Sequence, residues 1–565
     1  MSAVLGISAQ SHDAAAALFV DGVLVAAMQE ERCSRIKNDA SLPIRAAAAC
    51  LAWAKLEAGA LDEVVFYENP YGKLERVLRA GLRELPASLR QLPRALAGQL
   101  ASKVWVLDAL AARLGVDRAK VTYREHHASH AASAFFLSPF ERAAVLTVDA
   151  VGEEVTTALW LGEGSTLECL ESIHFPHSLG LLYSALTAWL GFEVNEGEYK
   201  VMGLAAFGRP VFEAEVRKLI SLESDGSFTL ALEYFDSHTN TEVGFSKKLE
   251  ALLGPRRPVE RPWNLAESAD DRRSADVAAS LQLVLEQAML GLARRAKAKT
   301  GADALCLAGG VALNAVANAA LASSGLFSEL FVQPAAGDAG AAIGAAALAS
   351  VERGYRPRPM STAALGPAVS GAVARSLAQA LGLKVESVPD PTSSAAERIA
   401  KGDIVGWVNG RLELGPRALG QRSLLALPHP VEVKERINRV IKRREPFRPF
   451  APSVLESQAS RFFEPHAAHL ARFMTTVAKV KDRARGSLEA VTHIDGTARL
   501  QTVLESSNFG HLINRVGDLT GLPVVLNTSL NGKGEPIVNT EADALAFFTT
   551  HPCDVMFIDD VMITR

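Results

Sequence analysis

Short apolar runs closed by polar or glycine turns set the rhythm of the N-terminal part of the chain. Residues 4–8 are apolar, S-A-Q-S-H-D is a polar turn, and residues 15–20 pass through Asp21-Gly22 into 23–28. That pattern predicts strand, turn, strand, tight hairpin, strand. Pro43 opens an alanine-rich helix to about residue 56, and residues 63–67 read as a strand bounded by Asn69-Pro70. Residues 71–118 read as an inserted helical block divided at Pro86 and Pro93, after which 121–123 form a short strand.

The pattern then restarts. Residues 143–148 predict a strand ending in Asp149, A-V-G-E-E a turn, and 156–161 a second strand closing into Gly162-Glu163-Gly164. Helical periodicity follows at 181–190 and from about 274 to 299. Residues 304–307 are a buried strand that breaks at Gly309-Gly310 into a helix, and 330–333 repeat the step into G-D-A-G-A-A-I-G-A. Two strand-hairpin units and two glycine turns at helix starts predict a duplicated α/β domain with a nucleotide cleft between its halves. Glycines that serve only close helix-to-strand packing are the other reading.

A proline- and glycine-rich stretch at 353–367 marks the expected domain boundary, giving domains of 1–355 and 356–565. The second domain alternates strand-like runs at 404–408, 474–480, 524–526 and 556–558 with helical patterns at 432–441, 507–517 and 541–548. It reads as a second α/β domain.

Composition adds exclusions. Hydrophobic residues are 48% and charged ones 22% of the 565, within the range of globular proteins. The net charge of −4 points to neither nucleic acid nor anionic membrane as a partner. Five scattered cysteines without a C-x-x-C argue against a disulfide framework and fit a cytoplasmic protein. No leader and no long uninterrupted apolar run is evident, so a soluble, unexported protein is expected.

The candidate chemistry falls in two places. In R-E-H-H-A-S-H-A-A-S-A-F-F, His126 and His130 are four apart and share one face of a helix, close enough to share a metal ion. With Asp149 and Asp338 they make a two-histidine, two-carboxylate set suited to Fe, Mn or Zn. The alternatives are a buried helix with locally bonded histidines, a turn residue for Asp149 and a helix N-cap for Asp338. The second domain holds arginines and lysines on stiff, proline-rich backbone in E-L-G-P-R-A-L-G-Q-R-S, K-R-R-E-P-F-R-P-F-A-P, H-I-D-G-T-A-R-L-Q and L-N-T-S-L-N-G-K-G-E-P. Such groups suit bidentate capture of phosphate or carboxylate. Few interleaved aromatics disfavour a nucleic-acid patch.

V-L-G-I-S-A-Q-S-H-D-A-A-A-A-L-F-V-D-G, E-E-R-C-S-R, H-H-A-S-H-A, E-Y-K-V-M-G-L-A-A-F-G, L-A-G-G-V-A-L-N, L-G-P-R-A-L-G-Q-R-S, F-R-P-F-A-P, H-I-D-G-T-A-R and L-N-T-S-L-N, in that order, resemble the NodU/CmcH/TobZ family of O-carbamoyltransferases. The resemblance implies an actin/hexokinase-like ATP-binding N-terminal domain and a YrdC-like C-terminal domain. It also implies a two-step reaction using ATP with Mg2+: carbamoyl phosphate yields carbamoyl-adenylate, whose carbamoyl group then passes to a hydroxyl of a small natural product, an antibiotic sugar or macrocycle.

Carried over by position, the resemblance makes His126, His130, Asp149 and Asp338 ligands of a divalent metal, Fe2+ in that family. Arg417, Lys442, Arg448 and Arg499 match positions that grip carbamoyl phosphate or the adenylate, with Arg422, Asn527 and Ser529 as neighbours. Gly309, Gly310 and Asn314 match the nucleoside site, and Lys200 the nucleotide phosphate. His12 matches a position near the acceptor hydroxyl, where a near-neutral pKa would suit a general base or an orienting group; a turn histidine bonding its own backbone is the alternative. The insert at 71–118 is expected to pack on the protein body, the alternatives being a wall of the acceptor pocket or a homodimer contact. The rival functions are a small-molecule kinase, tRNA threonylcarbamoyl transfer and a non-catalytic nucleotide-binding assembly protein.

Overall fold

The first three apolar runs pair into one antiparallel ladder, as their spacing requires. In the computed structural model, β1 (Ala3–Ser8) pairs with β2 (Ala15–Val20), and β2 with β3 (Val23–Gln29). Asp21 and Gly22 take φ values of 47° and 74°, the left-handed pair that a two-residue hairpin demands. β4 (Glu63–Phe66) adds in parallel to β1, and β5 (Val121–Tyr123) in parallel to β4, giving the order β3-β2-β1-β4-β5.

The same order recurs in the second half. β6 (Arg142–Val148), β7 (Val155–Glu163) and β8 (Thr166–His174) form an antiparallel meander. After a small hairpin of β9 (Ile220–Leu222) and β10 (Phe228–Leu230), β11 (Ala304–Ala308) and β12 (Glu329–Val332) join in parallel beside β6. The second sheet runs β12-β11-β6-β7-β8. Two sheets with one topology are the duplicated α/β arrangement that the repeat of hairpins led us to expect.

The structure describes residues 1–83, 89, 92–236, 244–259, 261–465 and 467–565. Pro86, expected to divide the helical insert, lies outside them. Within the described part of the insert, Lys73 donates to the Glu68 carboxylate at 3.0 Å and Arg76 to the Gly152 carbonyl at 2.5 Å, two bonds that tie it to the protein body.

Small residues bring the key elements together. The alanine-rich helix Asp338–Glu352 packs against both β1 and the helix His126–Phe135. A Cβ at Gly344 would sit 1.6 Å from the Ser129 carbonyl oxygen, and one at Gly6 would sit 1.9 Å from the Ala342 carbonyl oxygen. Only glycine permits so close an approach. The consequence is that the first turns of the two helices, carrying Asp338 and His126, meet.

Contacts divide the chain into two units: residues 1–30 with 38–361, and residues 31–37 with 362–565. Residues 31–37, expected in the first domain, therefore belong to the second unit.

That second unit is built on an eight-stranded mixed sheet. Beside a short pair formed by β13 (Ala364–Ala368) and β16 (Arg411–Glu413), its members are β14 (Lys384–Ser387), β15 (Val405–Val408), β17 (Arg422–Ala426), β18 (Ala451–Leu455), β21 (Gln501–Val503), β22 (Val524–Ser529), β23 (Val555–Ile558) and β24 (Val561–Thr564). A third pair, β19 (Ala478–Lys479) and β20 (Thr497–Ala498), lies apart. Alternation sends Trp407 and Phe557 to one face and Val408, Met556 and Ile558 to the other, so each face carries its own core. β22 lies between β17 and β18, which aligns the motifs at 413–423, 449–452 and 526–529 on neighbouring strands.

Candidate functional site

The histidine helix starts where a carboxylate meets it. Glu153, from the turn before β7, accepts the backbone N–H of His126 at 3.1 Å and that of Asn69 at 2.6 Å, so one negative charge serves two helix N-termini. His126 and His130 then project from one face of the helix, as their spacing predicts.

Four side chains converge there. His126 Nε2 lies 3.1 Å from Asp149 Oδ2, His130 Nε2 lies 2.9 Å from the same oxygen, and Asp338 Oδ1 stands 3.8 and 3.7 Å from the two nitrogens. One ligand atom from each residue falls within 4.8 Å of all the others, and all four residues are buried. Metal–ligand bonds of about 2.1 Å at octahedral or tetrahedral angles imply ligand separations of about 3.0–3.5 Å, so the set fits a divalent cation held by His126, His130, Asp149 and Asp338. The donor chemistry alone leaves Fe, Mn and Zn equivalent.

The alternatives for the two aspartates do not describe the structure. Gly337 holds the N-cap position of its helix, and Asp338, one residue on, turns its carboxylate to the histidines. Asp149 is bonded on both oxygens: Oδ2 meets the histidines, while Oδ1 accepts the N–H groups of Ala150 at 2.7 Å and Gly310 at 3.3 Å. Burial disfavours ionised Asp149, but the bonds from His126 and His130 prevail and hold its pKa well below the carboxylate range. His130 titrates up to about 9, its burial outweighed by Asp149 and Asp338.

Two residues that sequence reasoning missed complete the surroundings. Tyr67, fully buried at the end of β4, donates its hydroxyl to Asp338 Oδ2 at 3.2 Å and packs its ring against that of His126. His127 points away and bonds Thr147 Oγ1 through Nδ1 at 2.8 Å; burial and its two histidine neighbours keep it neutral. Nothing in the sequence links Tyr67 to an aspartate so distant along the chain.

His12 stands in the field of the cluster. Burial pushes its pKa down, but Asp13, Asp338 and Asp149 overcome it and raise the value to about 10.

The expected nucleotide residues are placed as follows. Gly309, at φ 91°, turns the chain after β11, where a Cβ would lie 2.3 Å from the Val148 carbonyl oxygen. Gly310 directs its N–H at Asp149, as described above. The Asn314 amide is occupied: its Oδ1 caps the following helix by accepting the Ala317 N–H at 3.0 Å, and it exchanges hydrogen bonds with the Gln282 amide at 2.9 and 3.1 Å. Lys200 lies on the helix Glu198–Ala205, with Nζ 5.8 Å from the Phe192 ring centroid.

In the second unit, the stretch carrying Arg417 is stapled on all sides. The buried Glu413 carboxylate accepts the N–H groups of Leu419 and Arg422 at 2.8 and 3.2 Å. Carbonyls of Ala418, Leu419 and Gly420 receive Asn527 Nδ2 at 3.2 Å, Gln501 Nε2 at 2.9 Å and Trp407 Nε1 at 2.9 Å. Asn527 therefore holds the Arg417 loop, a supporting place and not an anion-gripping one. Arg422 departs from expectation in the same way. Its buried guanidinium faces the carbonyls of Asn539, Asn409, Gly410, Gln421 and Pro367 at 3.1–3.3 Å, which leaves it a scaffold.

Lys442 is gathered with Ser529, as expected. Its Nζ donates to the Ser529 carbonyl at 2.6 Å and to Asn531 Oδ1 at 2.8 Å, and it lies 3.1 Å from Ser529 Oγ. Burial, then Arg444 and Arg448, hold the Lys442 amine well below the usual lysine range. Arg448 is half-buried with Nη1 3.6 Å from Glu445, and Arg499 follows β20 within electrostatic reach of His493.

Comparison with known proteins gives a consistent result. A family model described as the carbamoyltransferase N-terminus matches residues 3–347, and one described as the carbamoyltransferase C-terminus matches residues 396–565. An uncharacterized protein of Synechocystis is 40% identical over 100% of this chain and 97% of its own. Nodulation protein NolNO of Sinorhizobium fredii is 38% identical over 98% of this chain and 79% of its own. Component A of the Acidaminococcus fermentans (R)-2-hydroxyglutaryl-CoA dehydratase aligns with 62% of this chain and 99% of its own at 14% identity, with a TM-score of 0.34, too low to add to the topology. Among the described residues, no helix is long and apolar enough to cross a membrane.

Proposed function

The chain belongs to the carbamoyltransferase family, and from that premise we propose that it makes carbamoyl-adenylate from carbamoyl phosphate and ATP and passes the carbamoyl group to a hydroxyl of a small natural product. The observation that carries this reading is the presence, in one chain, of a buried two-histidine, two-carboxylate cluster and, in the second unit, an Arg417 loop held by Glu413 and a buried Lys442 held at Ser529.

An acyl-adenylate holds a bridging oxygen between the acyl carbon and the α-phosphorus. Stoichiometry therefore requires water to break the carbamoyl phosphate bond, giving carbamate and inorganic phosphate. A carbamate oxygen then bonds the α-phosphorus and pyrophosphate leaves. In the second unit, Arg417, Lys442, Arg448 and Arg499 supply the charge that such anions need, with Ser529 orienting Lys442.

In the second step the acceptor oxygen bonds the carbamoyl carbon, AMP departs, and the hydroxyl proton leaves. His12, beside Asp13 and within the field of Asp338 and Asp149, orients the acceptor oxygen and in its neutral form takes the hydroxyl proton. Gly309 and Gly310 leave room for the nucleotide beside Asp149. When bound by His126, His130, Asp149 and Asp338, a divalent metal such as Fe2+ would polarise oxygens at this cluster.

The test needs no acceptor. Purified protein is incubated with ATP, Mg2+ and the metal, and pyrophosphate is followed with and without carbamoyl phosphate. Release that depends on carbamoyl phosphate is expected. ADP formation with candidate alcohols in place of pyrophosphate overturns the reading in favour of a kinase.

A further inference from the structure

The E-E-R-C-S-R motif has no part in the reaction as derived, yet its last five residues, with Ile36 and Lys37, are the seven that leave the first unit to join the second. We propose that Glu31–Lys37 is a positioning strap for the carbamoyl phosphate site, in which Arg32 fixes the Arg417 loop and Arg35 fixes the loop that supports Lys442. The proposal rests on the function proposed above.

The carbonyls that Arg32 and Arg35 grip lie inside the second unit. Arg32 is 2% exposed and its Nη2 donates at 2.8 Å to the carbonyl of Gly415, two residues before Arg417. Arg35 grips two successive carbonyls, Nη1 on Ile537 at 2.7 Å and Nη2 on Pro536 at 2.9 Å, with Nε 3.6 Å from Asp543. The planar guanidinium fork suits such paired acceptors. The next residue back, Glu535, accepts Asn531 Nδ2 on its carbonyl at 2.7 Å, and Asn531 Oδ1 is itself 2.8 Å from Lys442 Nζ. A path of three hydrogen-bonded links thus runs from Arg35 to the ammonium. Glu31 completes the strap by pairing with Arg32 and Lys37, both at 2.9 Å, at 1% exposure. Desolvated charges of this kind hold their geometry only while all partners are present.

The strap also has two feet, both inside the first unit. Glu30 donates its N–H to the Ala14 carbonyl at 2.7 Å and accepts the Ala46 N–H at 2.8 Å, and the Asp39 carbonyl accepts the Ala14 N–H at 3.0 Å. The feet pin the turn that carries His12 and Asp13. A strap held at both ends cannot slacken without disturbing those bonds.

The test uses the full-length protein and equilibrium binding by calorimetry, so it does not depend on turnover. Carbamoyl phosphate and ATP are titrated separately into wild type, Arg35→Ala, Arg35→Lys and Ile36→Ala, the last an exposed neighbour in the same strap. Arg35→Ala is expected to weaken carbamoyl phosphate by about tenfold or more while leaving ATP affinity and the melting midpoint near wild type. Arg35→Lys restores part of the loss, and Ile36→Ala behaves as wild type. Equal carbamoyl phosphate affinity in wild type and Arg35→Ala overturns the strap, as does a parallel loss for both ligands. Wild type that binds no carbamoyl phosphate overturns instead the function on which the strap rests. Should Arg35→Ala fail to fold, Arg35→Gln, which keeps a donor on the strap, is read by the same criteria.

Discussion

Nε2 of His126 lies 3.1 Å from Nε2 of His130, a separation at which two imidazole nitrogens share one proton or one cation. With Asp149 Oδ2 in reach of both, a cation satisfies all three atoms at once.

The division of labour between the units gives the first prediction. Arg417→Ala abolishes pyrophosphate release that depends on carbamoyl phosphate, whereas His126→Ala spares that step and blocks transfer to an acceptor. Each half-reaction is followed separately, pyrophosphate for one and AMP for the other. Equal loss of both in each variant is the result that refutes the scheme.

Tyr67→Phe removes the hydroxyl that bonds Asp338 Oδ2 while keeping the buried ring. Losing an outer hydrogen bond of this kind lowers metal affinity by about 10- to 100-fold. Competition with a metal-binding indicator dye measures it, and a cooperative melt identical to wild type separates the effect from misfolding.

The depressed pKa of Lys442 has a sign that can be followed. On the proposed function carbamoyl phosphate binds the ammonium form, so affinity is expected to be full below the folded pKa and to fall as pH rises through it. Because burial lowers that pKa, the fall begins at lower pH than for an ordinary lysine. Lys442→Arg keeps its charge throughout and flattens the profile. The KM for carbamoyl phosphate from about pH 6 to about pH 10 shows the difference.

Arg422 gives a prediction about stability, since its guanidinium serves carbonyl oxygens. Arg422→Ala strands those buried acceptors and lowers stability by more than about 3 kcal/mol, with Arg422→Lys intermediate. Urea unfolding is the measurement; a loss of activity with unchanged stability would return Arg422 to the substrate.

Much of this was legible because local pattern and tertiary need coincide. The turn at Asp21-Gly22, the i, i+4 spacing of His126 and His130, and the glycine break after β11 each have a local cause, and each is found. What escaped depends on partners far along the chain. Tyr67 and Glu413 act through bonds that no spacing announces, and only folding brings Asp338 and Asp149 into the surroundings of His12. Arg422 and Asn527 misled because a basic or amide side chain in a motif looks the same whether it meets a substrate or a carbonyl.

The excursion of residues 31–37 bears on how this molecule is made. These residues are translated long before Thr362, where the rest of their unit begins. No contiguous stretch of the gene encodes the second unit alone and whole, so a fragment begun at Thr362 is born without Arg32 and Arg35, and splitting the gene there would leave the first unit entire and the second without its strap.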